Sequence, residues 1–251
     1  MATKERVDRL LVQRGLAESR AKAQALVLAG QVYVGDRRVE KAGDQLAADA
    51  ALALKGRDHP WVSRGGVKLS FALDYFSIDP TDLTALDVGA STGGFTHVLL
   101  HRGARRVYAV DVGHGQLAWK LREDPRVVVH ERLNARALTR EHVPEPVDII
   151  ACDASFIGLA TILPAPLALA AENAGLVALV KPQFEAGREH VGKGGVVRDP
   201  GIQRQVCESV AAWVSVQSGW TLVGIVESPI LGPQGNREFL LYAARRGICE
   251  K

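Results

Sequence analysis

The chain has 251 residues, 47% of them hydrophobic, three cysteines and a formal net charge of +3. Such a chain buries a sizeable core and leaves room for one large domain plus a small one, which excludes a disordered or low-complexity protein. Cys152, Cys207 and Cys249 lie far apart with no CxxC pair, which excludes a disulfide framework and a cysteine zinc site and suits a reducing compartment, expected to be the cytoplasm.

The start, "MATKERVDRL", carries charge from residue 4 and has no apolar signal core. The stretch from Ala154 to Ala171 runs 18 residues without a charge, long enough to span a bilayer. Pro164 and Pro166 break its helical continuity, so a buried loop and helix is expected there. Charge is uneven: residues 1–60 hold 11 Lys/Arg against 8 Asp/Glu, and the remainder holds 20 of each. A modest basic face at the N-terminus is the footprint expected of phosphate contact, with ordinary solvated helix charges as the alternative.

In chain order, residues 6–14 and 19–29 place Val7, Leu10, Leu11 and then Ala23, Leu26, Val27 at helical spacing. Gly15 and Gly30 stand where helices end, and Ser19 where the second begins. "QVYVGDRRV" then alternates like a strand and turns at Gly35-Asp36 into a return strand. Two short helices and a hairpin, with Arg20, Lys22, Arg37 and Arg38 around the second helix, resemble the S-four-type RNA-binding domain. The resemblance runs from residue 4 to about 55, and the unit is expected to close by residue 57. "GRDHPWVSRGG" follows as a linker, centred on 58–65 and pinned by Trp61; residues 66–251 form the large domain.

From Leu83 onward the apolar runs "ALDVG", "RVYAVD", "RVVVH", "VDIIACD", "GLVALVK", "TLVGIVES" and "EFLLYA" recur with helical stretches between them. Seven strands alternating with helices predict a doubly wound α/β sheet. Only the last pair lacks a helix, so the seventh strand is expected to run antiparallel beside the sixth. That is the arrangement of the methyltransferases that use S-adenosyl-L-methionine (SAM).

The first run opens into "DVGASTGGFT", a loop bare enough for backbone amides to approach a cofactor. Its G-x-S-x-G-G form breaks the G-x-G-x-x-G spacing of a dinucleotide site. Asp111 lies 22 residues after Gly89, where an acid accepts from a ribose diol in either cofactor class. Asp87, the loop form and the antiparallel seventh strand select SAM. Asp87 and Gly94 are expected to bind the cofactor, with Gly89, Ser91 and Gly93 at its methionine end, Asp111 at the ribose and Asn134 at the adenine; a simple turn role is the alternative for Asn134.

Ligands gather at the carboxyl ends of parallel strands. Asp153 ends the fourth strand and Lys181 the fifth, and an antiparallel seventh strand begins on the same rim with Glu238. Lys68, on the helix after the linker, is the fourth ionisable group there. His97 and His101, four apart on a helix, lack a third ligand and are expected to face solvent; no metal is expected.

Across nearly the whole chain, "WVSRGGVKL", "LDVGASTGGFT", "VDIIACDASFI", "LVALVKPQFE", "VGKGGVVRDP" and "SPILGPQGNREFLLY" resemble the TlyA family, ribosomal-RNA 2′-O-methyltransferases also called haemolysin A proteins. The resemblance implies an FtsJ-type domain whose Lys-Asp-Lys-Glu tetrad falls on Lys68, Asp153, Lys181 and Glu238. It implies transfer to a ribose 2′-hydroxyl, of cytidine in ribosomal RNA. Lys181 then acts either as a base or as a cation that steadies the nascent alkoxide.

RNA contact is expected from Arg6, Arg20, Lys22 and Arg64, and from Arg188, Lys193 and Arg198 in the glycine-rich segment "EAGREHVGKGGVVRDP", which is expected to order on RNA, with a mobile lid of solvated charges as the alternative. A monomer is the default. Two other classes remain open at this level: a membrane-active haemolysin, and an RNA-binding protein that no longer turns over.

Overall fold

In the computed structural model, which describes residues 4–54 and 59–246, the chain separates into two units, one ending at Pro60 and one beginning at Trp61. The boundary expected at residue 57 and Cys249 lie outside the described residues.

In the first unit β1 (Lys4–Arg6) leads directly into α1 (Val7–Gln13), and α2 (Arg20–Leu28) follows. The Ser19 hydroxyl accepts from the Lys22 amide at 3.2 Å, the expected N-cap. Val7, Leu10, Leu11, Ala23 and Val27 bury together with Val32. Gly15 and Gly30 end the helices with φ of +68° and +70°, a conformation that costs glycine little. β2 (Val32–Val34) and β3 (Arg37–Arg38) form the expected hairpin. β4 (Gln45–Ala47) pairs with β1, and β5 (Leu52–Leu54) pairs with β2, both antiparallel. Strands of three residues are too short for alternation to register.

The second unit runs α3 (Gly65–Tyr75), β6 (Thr84–Val88), α4 (Gly94–His101), β7 (Arg106–Val110), α5 (Trp119–Arg122), β8 (Val127–His130) and β9 (Val147–Cys152). It continues with α6 (Leu159–Ile162), α7 (Pro164–Ala168), β10 (Ala170–Val180), α8 (Pro182–Glu185), α9 (Pro200–Ser215), β11 (Trp220–Glu227) and β12 (Phe239–Arg245). Seven strands form one sheet in the order β11-β12-β10-β9-β6-β7-β8. The five from β6 to β10 are parallel, and β12 is antiparallel to β11 as expected. It also enters the sheet, pairing with β10 from Ala174↔Arg245 to Val180↔Phe239.

Two expected helices are absent. Between β7 and β8 there is one turn, α5, and between β8 and β9 only a 3-10 turn at Ala135–Ala137. Those connections carry Gly113, Gly115, Pro125, Pro144 and Pro146, which interrupt helical hydrogen bonding. The uncharged stretch 154–171 contains two short helices, with Pro164 opening the second, and no helix among the described residues is long and apolar enough to cross a membrane.

Adjacent strand residues feed opposite faces of the sheet. Ile150 joins Leu86, Leu163 and Leu176 on one side, while Ile149 joins Leu69, Leu73, Leu99 and Leu179 on the other. On that second side α3 packs closely on α4. A Cβ placed on Gly94 would lie 2.2 Å from Ser63 Oγ and 2.8 Å from the Gly66 nitrogen. Gly94→Ala is therefore expected to cost about 1–3 kcal/mol, the usual penalty of overpacking, read as a lower urea midpoint with unchanged slope.

Candidate active site

The loop after β6 is shaped from below. Asp87 is fully buried, and its Oδ2 accepts from the Thr96 amide at 2.9 Å and the Thr96 hydroxyl at 2.6 Å. It fixes the loop onto α4 and does not line the cofactor surface as expected. Burial pushes the Asp87 carboxyl up to about 7, against the pull of the Thr96 hydrogen bonds and with the help of the Asp153 and Asp111 charges.

A raised folded-state pKa favours the neutral acid, so this stabilisation is complete below the unfolded value near pH 4. It is lost as pH rises through about 7. Asp87→Asn is expected to lose less melting temperature than the parent between these two pH values, measured by scanning calorimetry.

Gly89 has φ +83°, and a Cβ there would lie 3.0 Å from the Ala154 Cα and nitrogen. Gly93, φ +91°, faces Leu117 and Leu121, whose side chains a Cβ would strike at 2.7 and 2.3 Å. Gly93 and Gly94 thus form the packed floor of the loop, while Ser91, φ +48°, is exposed at its surface. Asp111 stays half-exposed, its Oδ2 accepting from the Ser91 amide at 2.8 Å and its Oδ1 from the Gly113 amide at 2.6 Å. Each carboxylate oxygen keeps a second lone pair. An exposed serine beside a fixed carboxylate fits a cofactor with a ribose diol.

Asn134 is exposed and caps the 3-10 turn: its Oδ1 accepts from the Arg136 amide at 3.1 Å and from Arg136 Nε at 3.3 Å. The Leu133 amide donates to the Asp111 carbonyl at 3.1 Å, which brings that turn beside Asp111.

The four ionisable residues meet on the rim. Asp153 follows β9, where its amide donates to the Val88 carbonyl at 3.0 Å, next to the glycine loop. Lys181 follows β10 and Glu238 precedes β12, one position beyond the Val180↔Phe239 pair. Lys181 Nζ lies 2.6 Å from Asp153 Oδ1. The same Nζ donates to the Asp153 and Ala154 carbonyls at 3.2 and 3.1 Å and to Ser155 Oγ at 2.9 Å. Lys68, from α3, donates to Glu238 Oε2 at 2.5 Å, and Gln183 Nε2 to Glu238 Oε1 at 3.3 Å. Lys68, Lys181 and Glu238 are buried, and Asp153 keeps 21% of its side chain exposed. The result is two lysine–carboxylate pairs, one closed and one opening to solvent.

Beside them Phe156 has φ +66° and is 89% exposed, its ring 5.0 Å from that of Phe184. Neither Phe156, Ser155 nor Gln183 was legible as a site residue, because hydrophobic and small polar types carry no charge pattern. An exposed aromatic in the left-handed region is visible only in the backbone.

Of the other expected contacts, Arg188, Lys193 and Arg198 are exposed on the connection from α8 to α9. Its base is tethered: Asn236, 3% exposed, accepts from the Val197 amide at 3.2 Å and donates to the Gly195 carbonyl at 2.9 Å. Arg64 donates to the Leu231 carbonyl, which clamps the connection between β11 and β12. In the first unit Lys22 is exposed, while Arg6 and Arg20 both bind the buried carboxylate of Asp8.

His101 is exposed, as expected, while His97 is half-buried. Their rings stand edge-on to the buried Trp61 at 5.4 and 5.3 Å, and the Val62 amide donates to His97 Nδ1 at 3.2 Å. Trp61 is pinned as expected, by histidines the sequence did not link to it.

A seven-stranded sheet with one inserted antiparallel strand, a bare loop after its first strand and an acid after its second define the Rossmann-like class to which methyltransferases belong. Residues 61–245 match the FtsJ-like methyltransferase family and residues 5–51 the S4 domain. The chain is 49% identical over 243 residues to the 16S/23S rRNA (cytidine-2′-O)-methyltransferase TlyA of Mycobacterium tuberculosis, covering 96% of this chain and 90% of that one. It is 38% identical to Hemolysin A of Brachyspira hyodysenteriae, covering 94% and 98%. A solved structure from Streptococcus thermophilus, described as a candidate hemolysin, superposes with TM-score 0.75 at 43% identity and covers 98% of this chain and 90% of that one. The chain belongs to the TlyA, haemolysin A-like family of FtsJ-like methyltransferases with an N-terminal S4 domain, and is an enzyme of the methyltransferase class.

Proposed function

We propose that this protein transfers a methyl group from SAM to a ribose 2′-hydroxyl, of cytidine in ribosomal RNA. The observation that carries it is the Lys181–Asp153 pair, at 2.6 Å, opening to solvent beside the glycine loop. Bound SAM supplies a methyl already activated on a sulfonium sulfur. Ser91 meets its methionine end and Asp111 its ribose.

A ribose hydroxyl is a poor nucleophile until it begins to lose its proton. Lys181 Nζ is the group that meets it, taking the proton or steadying the oxygen as charge develops. Four oxygen acceptors around Nζ favour the second role, because an ammonium has three N–H donors and no acceptor. Asp153 and Ser155 orient that amine, and the Lys68–Glu238 pair joins α3 to the start of β12 behind it. Phe156 offers a stacking face to an unstacked base. Arg188, Lys193 and Arg198, with the basic residues of the first unit, contact phosphate.

The haemolysin name of a relative suggests membrane damage, yet the apolar stretch that could serve it is folded into two short helices. The deciding experiment maps 2′-O-methyl nucleosides by mass spectrometry in ribosomal RNA from cells with and without the protein. A cytidine methylated only when it is present is expected; identical maps would overturn the proposal.

A further inference from the structure

We infer that Asp8 is a positioning residue for RNA: its buried carboxylate holds the Arg6 and Arg20 guanidinium groups as a paired clamp for backbone phosphate. The inference rests on the proposed RNA substrate and adds how the small unit grips it.

Asp8 stands in the first turn of α1 and is 0% exposed. Arg6 meets it with two prongs, Nε to Oδ1 at 3.0 Å and a terminal nitrogen to Oδ2 at 2.9 Å. Arg20, from the start of α2, donates to Oδ2 at 2.9 Å, and Gln24 Nε2 donates to the same oxygen at 3.2 Å. The carboxylate itself never reaches solvent, whereas the two arginine side chains remain 39% and 52% exposed. Each guanidinium has five N–H donors, and those not turned to Asp8 are left for another acceptor. One acid between two bases leaves a net positive cluster, with Lys22 exposed on the same turn of α2.

Burying a carboxylate is costly, and an apolar residue would fill the site with less penalty. The acid is explained by what it fixes. Free arginines lose rotamer freedom on gripping a phosphate, and a planar fork already oriented loses less.

Two physical effects predict opposite signs for its removal. By charge alone, loss of Asp8 makes the cluster more positive and tightens RNA binding. By preorganisation, its loss frees both arginines and weakens binding.

The test uses the full chain, with unfractionated 16S and 23S ribosomal RNA as probe in filter binding across a KCl series. Asp8→Asn is expected to bind roughly tenfold more weakly than the parent despite its added positive charge, the size of ordering two long side chains on binding. Equal or tighter binding overturns the clamp. Should Asp8→Asn unfold the small unit, seen as new proteolysis before residue 60, Arg20→Lys decides. It keeps the charge and loses the fork, so weakening close to that of Arg20→Ala is expected, while parental affinity overturns the clamp. A parent protein that binds no RNA overturns the substrate reading itself, and the clamp with it.

Discussion

Lys181→Ala is expected to lower methyl transfer to ribosomal RNA by roughly 100- to 10,000-fold, the range a positioned proton-transfer or charge-stabilising group contributes. SAM affinity is expected to stay within about twofold, because the cofactor contacts proposed above lie on the glycine loop and Asp111 rather than on this amine. The fold tolerates the change: Asp153, stranded by it, keeps 21% of its side chain in solvent. Radiolabelled methyl transfer beside calorimetric titration of SAM reads both quantities. Full activity in Lys181→Ala would remove it from the chemistry.

The second pair behaves differently because it is closed. Lys68 and Glu238 have side chains only 8% and 0% exposed. Glu238→Gln leaves the Lys68 charge buried without its partner, which costs about 3–5 kcal/mol of stability. Adding Lys68→Met removes the stranded charge and is expected to recover most of that loss, since apolar replacement of a buried pair is often neutral. Activity is not expected to return with it, because Met and Gln cannot supply the two charges beside the Lys181–Asp153 pair. Urea unfolding and methyl transfer on the single and double variants separate the two effects; recovered activity in the double variant would show the pair to be only structural.

Much of this arrangement is legible in the sequence, and the reason is charge at strand ends. Asp153, Lys181 and Glu238 each interrupt or border an apolar run, so the sheet's own geometry brings them to one edge. Lys68 was legible through its place on the helix before the first strand of the sheet. What the sequence does not show are groups whose role depends on depth. Asp87 and Asp111 read alike as acids beside apolar runs, yet the first is sealed under α4 and the second faces the loop surface. Gly93 and Gly94 read as cofactor glycines, and their neighbours turn out to be Leu117, Leu121, Ser63 and Gly66. Asp8 looks like one more charge on a polar helix, since nothing local marks it as the centre of a cluster drawn from residues 6, 20 and 24. The missing helices around β8 reflect a weak signal between short strands, where glycines and prolines outvote the alternating plan.

The placement of β12 between β10 and β11 has a consequence for how the enzyme is completed. On a ribosome the polypeptide emerges in order, so β11 is made before the strand it must lie against, and β10 waits with one flank bare. Assembly of that half of the sheet is thus deferred until the segment bearing Glu238 and residues 239–245 has left the exit tunnel, and the acid that closes on Lys68 arrives in the same step. A chain that stops anywhere before residue 238 therefore lacks both the strand that β10 and β11 lie against and the acid that meets Lys68.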